Sequence, residues 1–195
     1  MHTSQAPQCT LNGIDLGALQ ETIATVGERP ELGATTFRAE SHWVDSRRIA
    51  TTIDTFSAGG GEHRRAAPHE LLSDLPEALG GTDQGPSPLE VALAALGSCV
   101  ATTLVVHAAA KGVPLRAASV KLSGELDLRG FLNLAEVRTG YERLKLDITL
   151  DADLTDEEIA SFVQSGLRFS PVLDLLRHGT EIETSTTRAS ADQGL

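Results

Sequence analysis

The chain has 195 residues, 41% of them apolar and 22% charged, the make-up of one globular domain or at most two small ones rather than of a disordered, collagen-like or disulfide-stapled chain. Sixteen basic against 27 acidic side chains leave a net charge of -11, so neither nucleic acid nor an anionic membrane surface is an expected partner. Aromatic residues, at 4%, are too scarce for base-stacking platforms.

Residues 12–27 are expected to form a short helix, because Leu16, Leu19, Ile23 and Val26 recur at helical spacing. Asp15 can cap its start and Gly27 its end. Residues 28–35 read as a linker. Two strands then follow, one carrying Phe37, Ala39, Ser41 and Trp43 on a single face, the other running from Arg48 to Phe56, with Asp45, Ser46 and Arg47 as the turn. Three glycines at 59–61 break the chain, and a third short strand is expected at 69–72. The stretch SDLPEALGGTDQGPSP, residues 73–88, holds three prolines and three glycines and is expected to be neither helix nor strand. Ser87 and Pro88 at its end suit the N-cap and first turn of a helix over 88–111 that stops at Gly112.

Within that helix, residues 91–110 carry no formal charge and are long enough to span a bilayer. Small residues dominate them, a histidine sits inside, and no aromatic belt or basic flank accompanies them, so the stretch reads as a central core helix and not as a membrane span. Alternating strands are expected around Val120–Leu128 and Leu144–Leu150, each with one dry face and one wet. Thr155 and Glu158 have the spacing of a capping box for a helix with Ile159, Phe162, Val163 and Leu167 on one side. Ser170 and Pro171 start another helix, closed by Gly179, with Ser170 as its N-cap. A last strand is expected over 181–187, before a polar tail. Strands come in blocks rather than alternating with helices, so the fold class is α+β.

The two cysteines, Cys9 and Cys99, lie 90 positions apart and form no framework. The N-terminus has neither a basic n-region nor an apolar h-region, so a reduced, cytoplasmic setting is expected. A free cysteine in an apolar helix is ordinarily a small core side chain. Reactivity demands a cation or a helix N-terminus close by. Cys99 lies deep in its own helix, beyond the reach of that helix's dipole, so a cation from elsewhere is needed, and Arg47 and Arg48 are the candidates. His63, His69 and His107 have no CxxC, HxxxH or carboxylate cluster beside them, and no metal site or cofactor is expected.

The segment GPSPLEVALAALGSC closely resembles the helix-and-cysteine signature of the OsmC/Ohr family of hydroperoxide-resistance proteins. The approach SDLPEALGGTDQGPSP, the following KGVPL and the late capped helix running into Pro171-Val172 match as well, and the resemblance extends over about residues 36–187. It implies an intertwined homodimer with long central apolar helices packed against antiparallel sheets. The division expected is then an N-terminal helical extension at 1–35, an OsmC-like domain at 36–187 and a disordered tail at 188–195. It also implies that Cys99 attacks a hydroperoxide and becomes a sulfenic acid, assisted by an arginine from the first strand turn, Arg47 or Arg48, and by an acid. The family's acid would fall on Leu89, and Glu90, one position later, is the candidate. About nine residues of helix put Glu90 and Cys99 on opposite sides, roughly 13 Å apart. A second, resolving cysteine normally precedes the Pro-Val step, and Ser170 stands there. The resulting expectation is a single-cysteine hydroperoxide reductase that uses an external thiol, with Cys9 a remote substitute resolver. The alternative is a non-catalytic relative that binds a small apolar ligand in the dimer cleft.

Overall fold

The computed structural model describes residues 9–188. Two short strands, β1 (Thr10–Leu11) and β2 (Ile14–Asp15), make a hairpin ahead of helix α1 (Leu16–Glu28). The helix expected from residue 12 therefore begins at 16. Asn12 and Gly13 both take positive φ, 54° and 77°, the turn that joins antiparallel strands in two residues. Asp15 caps α1 as expected, accepting from the amides of Gly17 and Ala18. The Asn12 side chain donates to Val113 O at 3.0 Å and accepts from Leu115 N at 2.8 Å, which fastens the hairpin to a point a hundred residues away.

After a 3-10 turn at Pro30–Gly33 comes a four-stranded antiparallel sheet. Strand β5 (Arg48–Ala58) is its centre; β3 (Thr36–Phe37) and β4 (Glu40–Asp45) lie in succession along one edge, and β6 (Gly61–Ser73) along the other. The short strand expected at 69–72 is only the second half of β6. Its first half pairs through Arg64, and the ladder is interrupted between Arg64 and His69, where Pro68 has no amide proton to give. This sheet packs on no helix of its own chain to the extent that β7 does, and it leaves Phe37 and Trp43 more than 70% exposed.

The loop from 74 contains one 3-10 turn, Glu77–Leu79, and is otherwise irregular as expected. It leads to α2 (Pro88–Ala110), which Ser87 and Glu90 start with a reciprocal capping box. Long and apolar enough to cross a membrane by composition alone, α2 instead packs against β7 (Leu115–Glu125), α4 (Asp156–Leu167) and α5 (Pro171–His178). Leu96, Val100, Leu104 and Ala108 of α2 form the core with Leu150, Phe162 and Leu173. β8 (Arg143–Ala152) pairs antiparallel with β7, and their leucines, valines and isoleucines line the core side. The strands start or end away from the expected limits: Leu128 belongs to a four-residue helix, α3 (Leu128–Phe131), in the connecting segment. Gly166 lets α4 approach α2, since a Cβ there would lie 2.6 Å from Leu104 Cδ2.

The capping box of Thr155 and Glu158 starts α4, and Gly179 follows α5, as expected. No strand forms over 181–187. Ile182 there is exposed, and the segment pairs with no strand of the described chain. All but the first residue of the expected disordered tail lies outside the described residues. The fold is α+β, with antiparallel sheets and a central apolar helix.

Candidate active site

Cys99 sits midway along α2, half-buried, beside the fully buried Leu96 and Val100. Chain topology brings the start of α5 against it. Pro171 at the first helical position sets that start. Ser170, at the N-cap position, is 1% exposed, but its hydroxyl accepts no amide from the first turn. It donates instead to Cys99 Sγ at 3.2 Å. The Val172 amide, one of the first-turn N–H groups that no helical carbonyl can satisfy, points at the same sulfur at 3.5 Å.

Two sequence expectations change here. Ser170 occupies the N-cap position without capping: its oxygen accepts from no first-turn amide, and its hydroxyl is turned to Cys99 Sγ. Cys99 is indeed out of reach of its own helix dipole, but the N-terminus of α5 faces it, with the Val172 amide 3.5 Å from Sγ. Phe169, one residue earlier, stacks on His107, ring centroids 4.7 Å apart.

The approach loop is built around Asp74, 1% exposed. Its carboxylate accepts from the Thr82 hydroxyl at 2.6 Å and from the amides of Leu75, Thr82 and Gln84. The Thr82 hydroxyl and then these amides outweigh burial and hold its pKa down at about 2. Gly81 is required where the loop folds back, since a Cβ would lie 1.8 Å from Leu75 O.

The other expected site residues are bonded to groups other than the thiol. Arg47, in the β4–β5 turn, donates to the Gly80 carbonyl of the approach loop. Arg48 pairs with Asp45, with Nε at 2.7 Å from the carboxylate. Glu90 gives its carboxylate to the Ser87 hydroxyl and amide, at 2.7 and 2.8 Å, and these bonds hold its pKa below the usual range. Among the described residues, none of the three is hydrogen-bonded to Cys99. Cys9 is exposed at the foot of the hairpin, its carbonyl accepting from Leu16 N at 3.1 Å. Among the described residues no cluster of three or more His, Cys, Asp or Glu could hold a metal ion. The Val172 amide was not legible from sequence as a partner of Cys99; the signal was Pro171, which marks a helix start with unsatisfied amides.

The family model described as OsmC-like protein matches residues 81–185, which takes in α2 with Cys99, both strands of the β7–β8 sheet, and Ser170 with α5. The chain belongs to the OsmC-like family. No curated protein matches it. Among solved structures, an OsmC-like protein from Mycoplasma pneumoniae is 15% identical, with 73% of this chain and 88% of that one covered at a TM-score of 0.56. An organic hydroperoxide resistance protein OsmC from Legionella pneumophila is 16% identical, with 74% and 90% covered at a TM-score of 0.50. At these identities the two structures establish the OsmC fold.

Proposed function

We propose that the protein is a thiol-dependent reductase of organic hydroperoxides in a cytoplasm, working through the single cysteine Cys99. The observation that carries this reading is the pair of donors, Ser170 Oγ and Val172 N, converging on Cys99 Sγ, since the thiolate is the nucleophile. Membership of the OsmC-like family supports it. The Cys99 thiolate attacks one peroxide oxygen; an S–O bond forms as the O–O bond breaks, and the departing alkoxide takes a proton to become the alcohol. Cys99 is left as the sulfenic acid. An external thiol then displaces water to form a mixed disulfide, and a second thiol releases its own disulfide and restores Cys99.

The protein acts as a homodimer on this reading. The apolar faces of α2 and of the β3–β6 sheet that its own chain leaves open support a second copy. Arg47 is the better candidate for the guanidinium that orients peroxide. It is held against the loop leading into α2 by a neutral carbonyl, whereas Arg48 is neutralised by Asp45. Glu90 acts in this proposal by fixing the start of α2.

The deciding experiment treats folded protein carrying Cys9→Ser with cumene hydroperoxide in the presence of a sulfenic-acid trap. The expected result is one adduct, at Cys99, with stoichiometric alcohol release. Absence of the adduct with the protein folded would point to the apolar-ligand alternative.

A further inference from the structure

We infer that Ser170 is a positioning residue for the Cys99 thiolate: its hydroxyl and the Val172 amide form a two-donor cradle that favours the charged sulfur and fixes its direction. The inference rests on the peroxidase reading for its use, but its chemistry is independent of it. A hydroxyl has one proton, and at an N-cap it usually serves as an acceptor for the first-turn amides. Ser170 gives that role up, is shut away from water, and spends its proton on sulfur at 3.2 Å. The Val172 N–H adds a second donor at 3.5 Å, along the axis of α5. A neutral thiol is a weak acceptor and a thiolate a strong one, so two donors facing sulfur favour ionisation.

Asp174, the acid in the first turn of α5, is turned to His178 at 2.9 Å, and Glu90 to Ser87. Arg168 closes α4 as its C-cap residue and is exposed. Lys111, at the end of α2, lies over the Phe162 ring at 5.4 Å. Cys99 Sγ has only neutral hydrogen-bond partners among the described residues. The hydroxyl cannot replace a resolving thiol, because oxygen does not form the disulfide that regenerates one. The position that elsewhere in the family ends the cycle here supports its first step.

The test follows iodoacetamide alkylation of Cys99 in a Cys9→Ser background, with and without Ser170→Ala, at pH 7 and pH 10. Circular dichroism at both pH values checks that each protein is folded. Loss of the hydroxyl should slow alkylation about fivefold at pH 7 and leave it nearly unchanged at pH 10, above the ordinary thiol value of about 8.5. Ser170→Thr, which keeps the hydroxyl, should restore the wild-type ratio of the two rates. An Ala variant with the wild-type ratio, or a Thr variant that behaves like Ala, overturns the cradle. If the ratio shifts as expected but neither protein forms a sulfenic acid with cumene hydroperoxide, the cradle stands and the peroxidase reading falls.

Discussion

Asp74 and Thr82 hold the approach loop closed through two bonds, the threonine hydroxyl and amide both donating to one carboxylate oxygen at 2.6 and 2.9 Å. The loop positions both the start of α2 and the Gly80 carbonyl that takes Arg47.

The carboxyl has a folded pKa of about 2 against an ordinary 3.8. A depressed acid contributes stability that is complete above its unfolded pKa and disappears as pH falls through the folded one. Urea melts should therefore show a loss of stability between about pH 4 and pH 2 that is steeper in the wild type than in Asp74→Asn. The slope that remains in the variant comes from other lowered acids such as Glu62 and Asp127. Equal slopes would mean that Asp74 does not hold the loop.

Ser170→Cys should create a peroxide-dependent disulfide with Cys99. The serine oxygen already lies 3.2 Å from Sγ, and a disulfide of about 2.05 Å needs only a small shift. The Cys99 sulfenic acid would condense with the introduced thiol and release water. Non-reducing peptide mapping after one equivalent of cumene hydroperoxide should find that link in most molecules. In the wild type, excess peroxide should drive Cys99 on to the sulfinic acid.

Arg47→Ala should lower the rate of Cys99 oxidation by about a hundredfold, the order usual for a lost charge-stabilising donor. Arg48→Ala should leave it within about twofold and remove mainly an exposed ion pair, with little effect on stability. Stopped-flow peroxide kinetics separate the two, and the reverse order would move the catalytic guanidinium to Arg48.

Light scattering at micromolar concentration should give about twice 20.6 kDa. Trp43→Glu, placed on the exposed face of β4, should shift that mass toward the monomer without changing far-UV circular dichroism. A monomeric wild type would remove the shared architecture.

The helices were the most legible part of the chain. Ser87 with Pro88 and Thr155 with Glu158 mark starts by local chemistry, and those caps formed. β6 was half missed because Pro68 and a run of charged residues hide a strand whose pairing is decided by β5. The strand expected at 181–187 did not form, and the segment pairs with no strand of the described chain. Cys99 and Ser170 were each visible in the sequence. Their closeness was implied only by the resemblance, which puts the resolving position at Ser170; no local pattern carries it, because it spans 71 positions and depends on how α5 docks onto α2. The direction of a hydroxyl proton has no periodicity to betray it.

The Asn12 bridge has a consequence for synthesis. Its two partners, Val113 O and Leu115 N, lie 101 and 103 positions further on. On the ribosome the hairpin has no surface to settle on until α2 and the first residue of β7 have emerged, which takes roughly 5–20 s at ordinary elongation rates. Until then the two bonds that fasten Asn12 to the start of β7 cannot form.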